Sequence, residues 1–247
     1  MQRDQLLRLL ETLLQPNLFK DYAPNGLQVQ GKARIDRIVT AVTATQNVID
    51  RALELKADAL LVHHGWFWRG ENPCIVRTKY QRLKTLMSAD VNLLAYHLPL
   101  DAHAQLGNNA LLGALLQAES VSTFAPMNLA CLGTIKPISV TALAEKLHAL
   151  LGQKPLILGP KQQEIERIAW CTGSAEDFFE QAIELGAQAY ISGEATERTT
   201  HLARESQTPY FVCGHHATER LGIRALGDWL SREHGLECIF VDDENPI

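Results

Sequence analysis

The chain has 247 residues, 46% hydrophobic and 21% charged, with a formal net charge of -5 and a pI near 6.0. That length supports one large domain or two modest lobes around real cores, and the acidic balance argues against nucleic-acid binding through overall charge. No apolar run approaches the roughly 20 residues of a membrane-spanning helix. The scattered cysteines, free of C-x-x-C spacing, fit reduced thiols in a cytoplasm rather than a disulfide framework.

At the N-terminus, Leu6, Leu7, Leu10, Leu13 and Leu14 recur at helical spacing with acidic Asp4 and Glu11 among them. This predicts an amphipathic helix lying on a core, not a secretory signal. Tyr22 to Leu27 carries an Asn25-Gly26 turn signal, with a substrate-contacting loop as its functional alternative. Arg37 to His64 then reads RIVTAVTATQNVIDRALELKADALLVHH. Its β-branched start predicts a buried strand, Thr43 to Thr45 a helix start, and Ala59 to Val62 a second strand. Strand, helix, strand in this order implies parallel pairing. Trp66-Phe67-Trp68-Arg69-Gly70 follows and could wall a pocket, stack on a heterocyclic base, or cover a core or a subunit interface. A third apolar strand, Leu93 to Tyr96, leads into His97 and Asp101, and a helical pattern runs from Asn108 to Gln117.

The second half repeats this grammar. Arg167 to Glu194, RIAWCTGSAEDFFEQAIELGAQAYISGE, aligns without a gap on Arg37 to His64. Phe211-Val212-Cys213-Gly214-His215, with Glu219 beyond it, parallels Leu93 to His97 with Asp101. A helical pattern then runs from Glu219 to Arg232. Between the copies, Cys131 to Ile135 and Leu156 to Leu158 are expected strands flanking a helix from Thr141 to Leu151. The predicted fold is therefore α/β: two similar lobes related by an internal repeat and a pseudo-twofold. They divide near Phe124-Ala125-Pro126-Met127, residues 1–126 and 127–247, and a site is expected between them.

Ligands gather at the carboxyl ends of parallel strands in such sheets. His63-His64, His97 to Asp101, Glu194, and His215 to Glu219 all fall there. His215 and Glu219 are four apart at a helix entrance and can meet on one face. His63 and His64 face one cavity only if their strand ends there, which Gly65 allows, or if they serve different ions. Pro99 suits a turn that swings Asp101 back. His63, His64, Asp101, His215 and Glu219 are thus the expected metal ligands, and imidazole with carboxylate suits zinc, iron, manganese or nickel. By the repeat, His97 takes the place of His215 and Glu194 that of His64. Both can orient ligands, and His97 is the candidate general acid.

The segments DYAPNGLQVQG, LLVHHGWFWRGE, YHLPLDAHAQLGNNA, SGEATE and CGHHATERLGIRAL closely resemble the NIF-three-like proteins, also called GTP cyclohydrolase type 2 homologues, and among them the bacterial YbgI proteins. The resemblance spans essentially the whole chain. It implies a NIF-three-like fold, a toroidal homohexamer, and two divalent metal ions per subunit on those same five residues, with Glu219 able to bridge both. The activity expected is hydrolysis of a nucleotide or related heterocycle. The alternative is a metal-binding hexameric scaffold or regulator without turnover, whose central opening could admit a partner such as nucleic acid.

Overall fold

The structure, a computed structural model, describes residues 1–247. The chain forms two compact units. Met1–Leu106 with Gly222–Glu244 make the first, and Gly107–Leu221 with Asn245–Ile247 the second.

In the first unit, α1 (Arg3–Leu14) buries Leu6, Leu10 and Leu14, one stripe at helical spacing. There follow β1 (Gly26–Val29), β2 (Arg37–Thr43), α2 (Gln46–Glu54), β3 (Ala59–His64), α3 (Arg77–Ser88), β4 (Asn92–Ala95) and the single turn α4 (Leu98–Asp101). The sheet order is β1-β4-β3-β2, closed by the C-terminal strand Glu237–Phe240 beside β2. All pairs are parallel except β1 with β4. Burial of five consecutive residues in β2 and in β3 explains their unbroken apolar runs, since both faces of a parallel sheet are covered. Thr45 caps α2, its hydroxyl accepting from the Val48 N–H. Two elements have a weak sequence signal. Strand β1 starts at Gly26 (φ +101°), directly on the predicted turn, and α3 buries only Leu83 and Leu86.

The second unit contains α5 (Asn108–Leu116), β5 (Glu119–Phe124), β6 (Ala130–Ser139), α6 (Val140–Leu151), β7 (Leu156–Leu158), β8 (Glu164–Trp170), α7 (Phe179–Glu184), β9 (Ala189–Ser192), α8 (Glu197–Glu205), β10 (Tyr210–Val212) and the start of α9 (His215–His234). Its sheet runs β5-β6-β8-β9-β10-β7, with β8–β9 and β9–β10 parallel. Ala217 of α9 joins this unit's core, whereas Ile223, Leu226 and Leu230 belong to the core of the first. The division expected after residue 126 falls between β5 and β6, which pair antiparallel within this one sheet.

The internal repeat is present in the backbone register. Ile38 pairs with Ala59, and its counterpart Ile168 pairs with Ala189. Asp58 Oδ2 accepts the N–H groups of Asp36 and Arg37, and Gln188 Oε1 accepts those of Glu166 and Arg167. The second copy's helix is shorter: a 3-10 turn, Glu176–Phe178, precedes α7. Ala175 stands where the first copy has Thr45, so no side-chain oxygen is available to cap a regular first turn.

Candidate metal centre

In the first unit, the β3–β4 ladder ends at Val62 opposite Ala95, and Gly65 closes the strand. A Cβ on Gly65 would lie 2.3 Å from Gln28 Oε1 and 2.6 Å from the Ala95 Cβ. The strand can end there only because this residue has no side chain. At the end of β3, where His64 still pairs with Thr43 of β2, His63 and His64 bring their ring centroids to 4.6 Å, and His97 approaches them at 5.1 and 5.5 Å. The ligand-capable atoms of all three imidazoles lie within 4.8 Å of one another. Proline in the first turn of α4 is tolerated because the N–H it lacks has no intrahelical partner there. This turn brings Asp101 Oδ1 to 3.5 Å from His63 Nε2, both side chains buried.

The outer nitrogens of these rings are also engaged. His63 Nδ1 lies 3.0 Å from the Tyr96 carbonyl, His64 Nδ1 3.2 Å from Thr43 Oγ1, and His97 Nδ1 2.7 Å from Asp21 Oδ1. Asp21 Oδ2 accepts from Asn25 Nδ2 and the Leu98 N–H, while Asn25 Oδ1 accepts the His97 N–H. Burial works against the Asp21 charge, but His97, Asn25 and the Tyr22 amide outweigh it and lower its pKa to about 2. Asp21 and Thr43 were not expected as site residues. Asn25 falls in the Tyr22 to Leu27 turn, for which a substrate-contacting loop was the functional alternative.

In the second unit, Gly214 (φ +90°) turns β10 into α9, whose first residue is His215. One turn on, buried Glu219 sets Oε2 3.1 Å from His215 Nε2, and Glu194 Oε1 lies 2.5 Å from His215 Nδ1. Burial penalises a charged imidazole, yet the hydrogen bonds and charges of Glu219 and Glu194 prevail and raise its pKa to about 9. Because this value lies above the ordinary 6.5, the pair stabilises the metal-free fold fully below pH 6.5. That contribution, on the order of a few kcal/mol, is lost as pH rises through 9. Urea unfolding of chelator-treated protein should therefore show a lower midpoint at pH 9.5 than at pH 6. Glu219→Gln should remove most of that difference, and an unchanged difference would refute the assignment.

Each unit thus presents imidazoles and carboxylates at the ends of parallel strands: His63, His64, His97 and Asp101 in the first, His215, Glu219 and Glu194 in the second. His63, Asp101 and Glu219 are buried and His64, His97 and His215 half-buried; these histidine, aspartate and glutamate groups could bind metal ions, and nitrogen with carboxylate oxygen suits zinc, iron, manganese or nickel. No helix is long and apolar enough to cross a membrane.

Comparison with known proteins agrees. The profile for Duf34/NIF3 (NGG1p interacting factor 3) matches residues 1–246. A GTP cyclohydrolase 1 type 2 homologue of Vibrio cholerae is 49% identical, with 98% of each chain covered. Among solved structures, the protein ybgI superposes with a TM-score of 0.93 at 45% identity, and the TTHA1606 protein from Thermus thermophilus with 0.90 at 31%, each over 100% of both chains. By sequence profile, relatives and fold alike, the chain belongs to the Duf34/NIF3 family of GTP cyclohydrolase 1 type 2 homologues.

Proposed function

We propose that the chain is a metal-dependent hydrolase of a nucleotide or related heterocycle, holding two divalent ions on His63, His64, Asp101, His215 and Glu219. The observation that carries this reading is the pairing of imidazole Nε2 with a buried carboxylate in each unit, His63 with Asp101 at 3.5 Å and His215 with Glu219 at 3.1 Å. In both pairs the imidazole's Nδ1 is taken by an oxygen, as oriented metal-binding histidines require. The names of the curated relatives point to cyclohydrolase chemistry. When bound, a pair of divalent ions supplies Lewis acidity and brings the pKa of water toward neutrality. Glu194 holds the orientation of His215, and the Tyr96 carbonyl that of His63.

Trp68 is suited to receive a planar substrate. Its indole meets His97 edge-on at 5.0 Å and lies 5.8 Å from His64 between ring centroids. Its Nε1 donates to the Gly65 carbonyl, which fixes the ring. Stacking of a base on an aromatic side chain is worth about 1–3 kcal/mol. Trp68→Ala should therefore raise KM roughly 10-fold or more for a heterocyclic substrate while leaving metal content unchanged. An unaltered KM would show that the indole only walls the loop.

The test of the reading is metal analysis of purified protein joined to a hydrolysis screen of nucleotides, phosphoesters and cyclic amides, run on the same reconstituted samples. Turnover that follows metal content supports it. Metal-replete protein that turns over nothing on the panel overturns it in favour of a scaffold or regulator.

A further inference from the structure

We propose that His97 is itself a metal ligand, completing with His63 and His64 a tri-imidazole face inside the first unit, and that Asp21 is the residue that orients it. This inference rests on the metal-binding reading above and adds a ligand outside its five.

Each ring's neighbours decide which of its nitrogens carries a proton. A carbonyl oxygen can only accept, so the Tyr96 carbonyl 3.0 Å from His63 Nδ1 fixes the N–H at Nδ1. It leaves the basic lone pair of neutral His63 on Nε2. The Asp21 carboxylate does the same for His97 at 2.7 Å, and the Thr43 hydroxyl can do so for His64 at 3.2 Å. Three neighbouring rings, each engaged by oxygen at Nδ1, turn Nε2 into the atom each offers a cation. Tautomer and ring orientation fixed by an outer carboxylate or carbonyl are what metal-binding histidines show.

Two further observations single out His97. Its backbone is held as firmly as its ring: the N–H donates to Asn25 Oδ1, and the carbonyl accepts from Leu100 and Asp101 at the start of α4. The internal repeat also sets His97 in the place of His215. The two carry the same arrangement, a carboxylate on Nδ1 and another carboxylate residue four positions on: Asp21 and Asp101 in one copy, Glu194 and Glu219 in the other. Where unit two presents one such ring with Glu219, unit one presents three rings with Asp101. On this reading the lone pair of His97, rather than a proton, is what it contributes.

The test uses the whole protein loaded with Co2+, in which each ligating imidazole gives a hyperfine-shifted, solvent-exchangeable ring N–H proton signal. Wild type should show four such signals, for His63, His64, His97 and His215, and His97→Gln should lose one and bind Co2+ at least 10-fold more weakly. Asp21→Asn should keep four signals, displace one, and weaken binding roughly 10-fold, the range for residues that orient a ligand. Three signals in wild type would overturn the proposal without needing any variant to fold. So would wild-type affinity in His97→Gln, and either result leaves the five-residue reading standing. Failure of wild type to bind Co2+ at all would sink both. A His215→Gln, Glu219→Gln double variant that retains Co2+ with three signals would support the tri-imidazole face by itself.

Discussion

Alanine at His63 or at Glu219 is expected to lower divalent-ion affinity on the order of 100-fold and to abolish hydrolysis with it. Four-ligand structural zinc sites release about 10–16 kcal/mol on binding, so one ligand is worth roughly 3 kcal/mol, or about two decades in Kd. His63 is fully buried and Glu219 is 3% exposed, so bulk water cannot readily take the place of either side chain. The two variants should differ in the metal-free state. Glu219→Ala removes the carboxylate that sustains the His215 charge, and so should also lower stability at neutral pH. His63→Ala should also lower stability, but through the cavity left by a fully buried ring and the loss of its contacts with Asp101 and the Tyr96 carbonyl, a loss that does not depend on the His215 charge. His201→Ala, on the exposed face of α8, is the control and should match wild type. Equilibrium dialysis against Zn2+ and Mn2+, with activity measured on the same samples, checks this. Wild-type metal content with full turnover in either variant would remove the metal from the mechanism.

The sequence made the architecture legible wherever one element carries its own signal. The matched copies Arg37 to His64 and Arg167 to Glu194 predicted both parallel strand pairs, and their common register shows the match to be structural. All five expected ligands sit at strand ends or in the helical turns after them, because the carboxyl end of a parallel strand is set by local pattern. What stayed hidden depends on long-range contact. Asp21 lies far from His97 in the chain, just before the turn at Tyr22 to Leu27, and no local pattern suggested that its carboxylate would secure a histidine. The C-terminal strand Glu237–Phe240 follows a long helix with no repeat to mark it, and its parallel pairing with β2 ties the segment Gly222–Glu244 into the first unit. That excursion is why a single cut after residue 126 does not describe the compact units. The missing cap at Ala175 shows the opposite limit. There the local sequence was informative, but similarity to the first copy suggested a helix more regular than the one that forms.

Gly193→Ala should disable the second unit's ligands without touching any of them. A Cβ at this position would lie 2.6 Å from the Gly173 carbonyl oxygen, 2.6 Å from His215 Cα and 2.9 Å from the His215 nitrogen. These are backbone atoms, so no rotamer change relieves the clash. The surrounding hydrogen bonds resist a shift as well. The Gly193 N–H donates to the Gly173 carbonyl, and the Gly214 N–H donates to the Gly193 carbonyl, fastening the end of β9 to the loop after β8 and to the turn before α9. Room for the methyl must come from moving His215 or Gly173, at about 1–3 kcal/mol. Metal–ligand distances tolerate only about 0.2 Å, and His215 moves with its backbone. Affinity should therefore fall 10-fold or more, while the ordinary melting loss stays modest, about 2–4 °C per kcal/mol in a chain of this size. Gly70→Ala separates this from a general glycine effect. Gly70 has a positive φ, +84°, which Gly193 lacks, but nothing lies within 4 Å of an added Cβ, so the change should cost about 1 kcal/mol and leave metal binding intact. If Gly193→Ala binds metal as tightly as Gly70→Ala, the close approach of β9 to His215 does not set the ligand geometry.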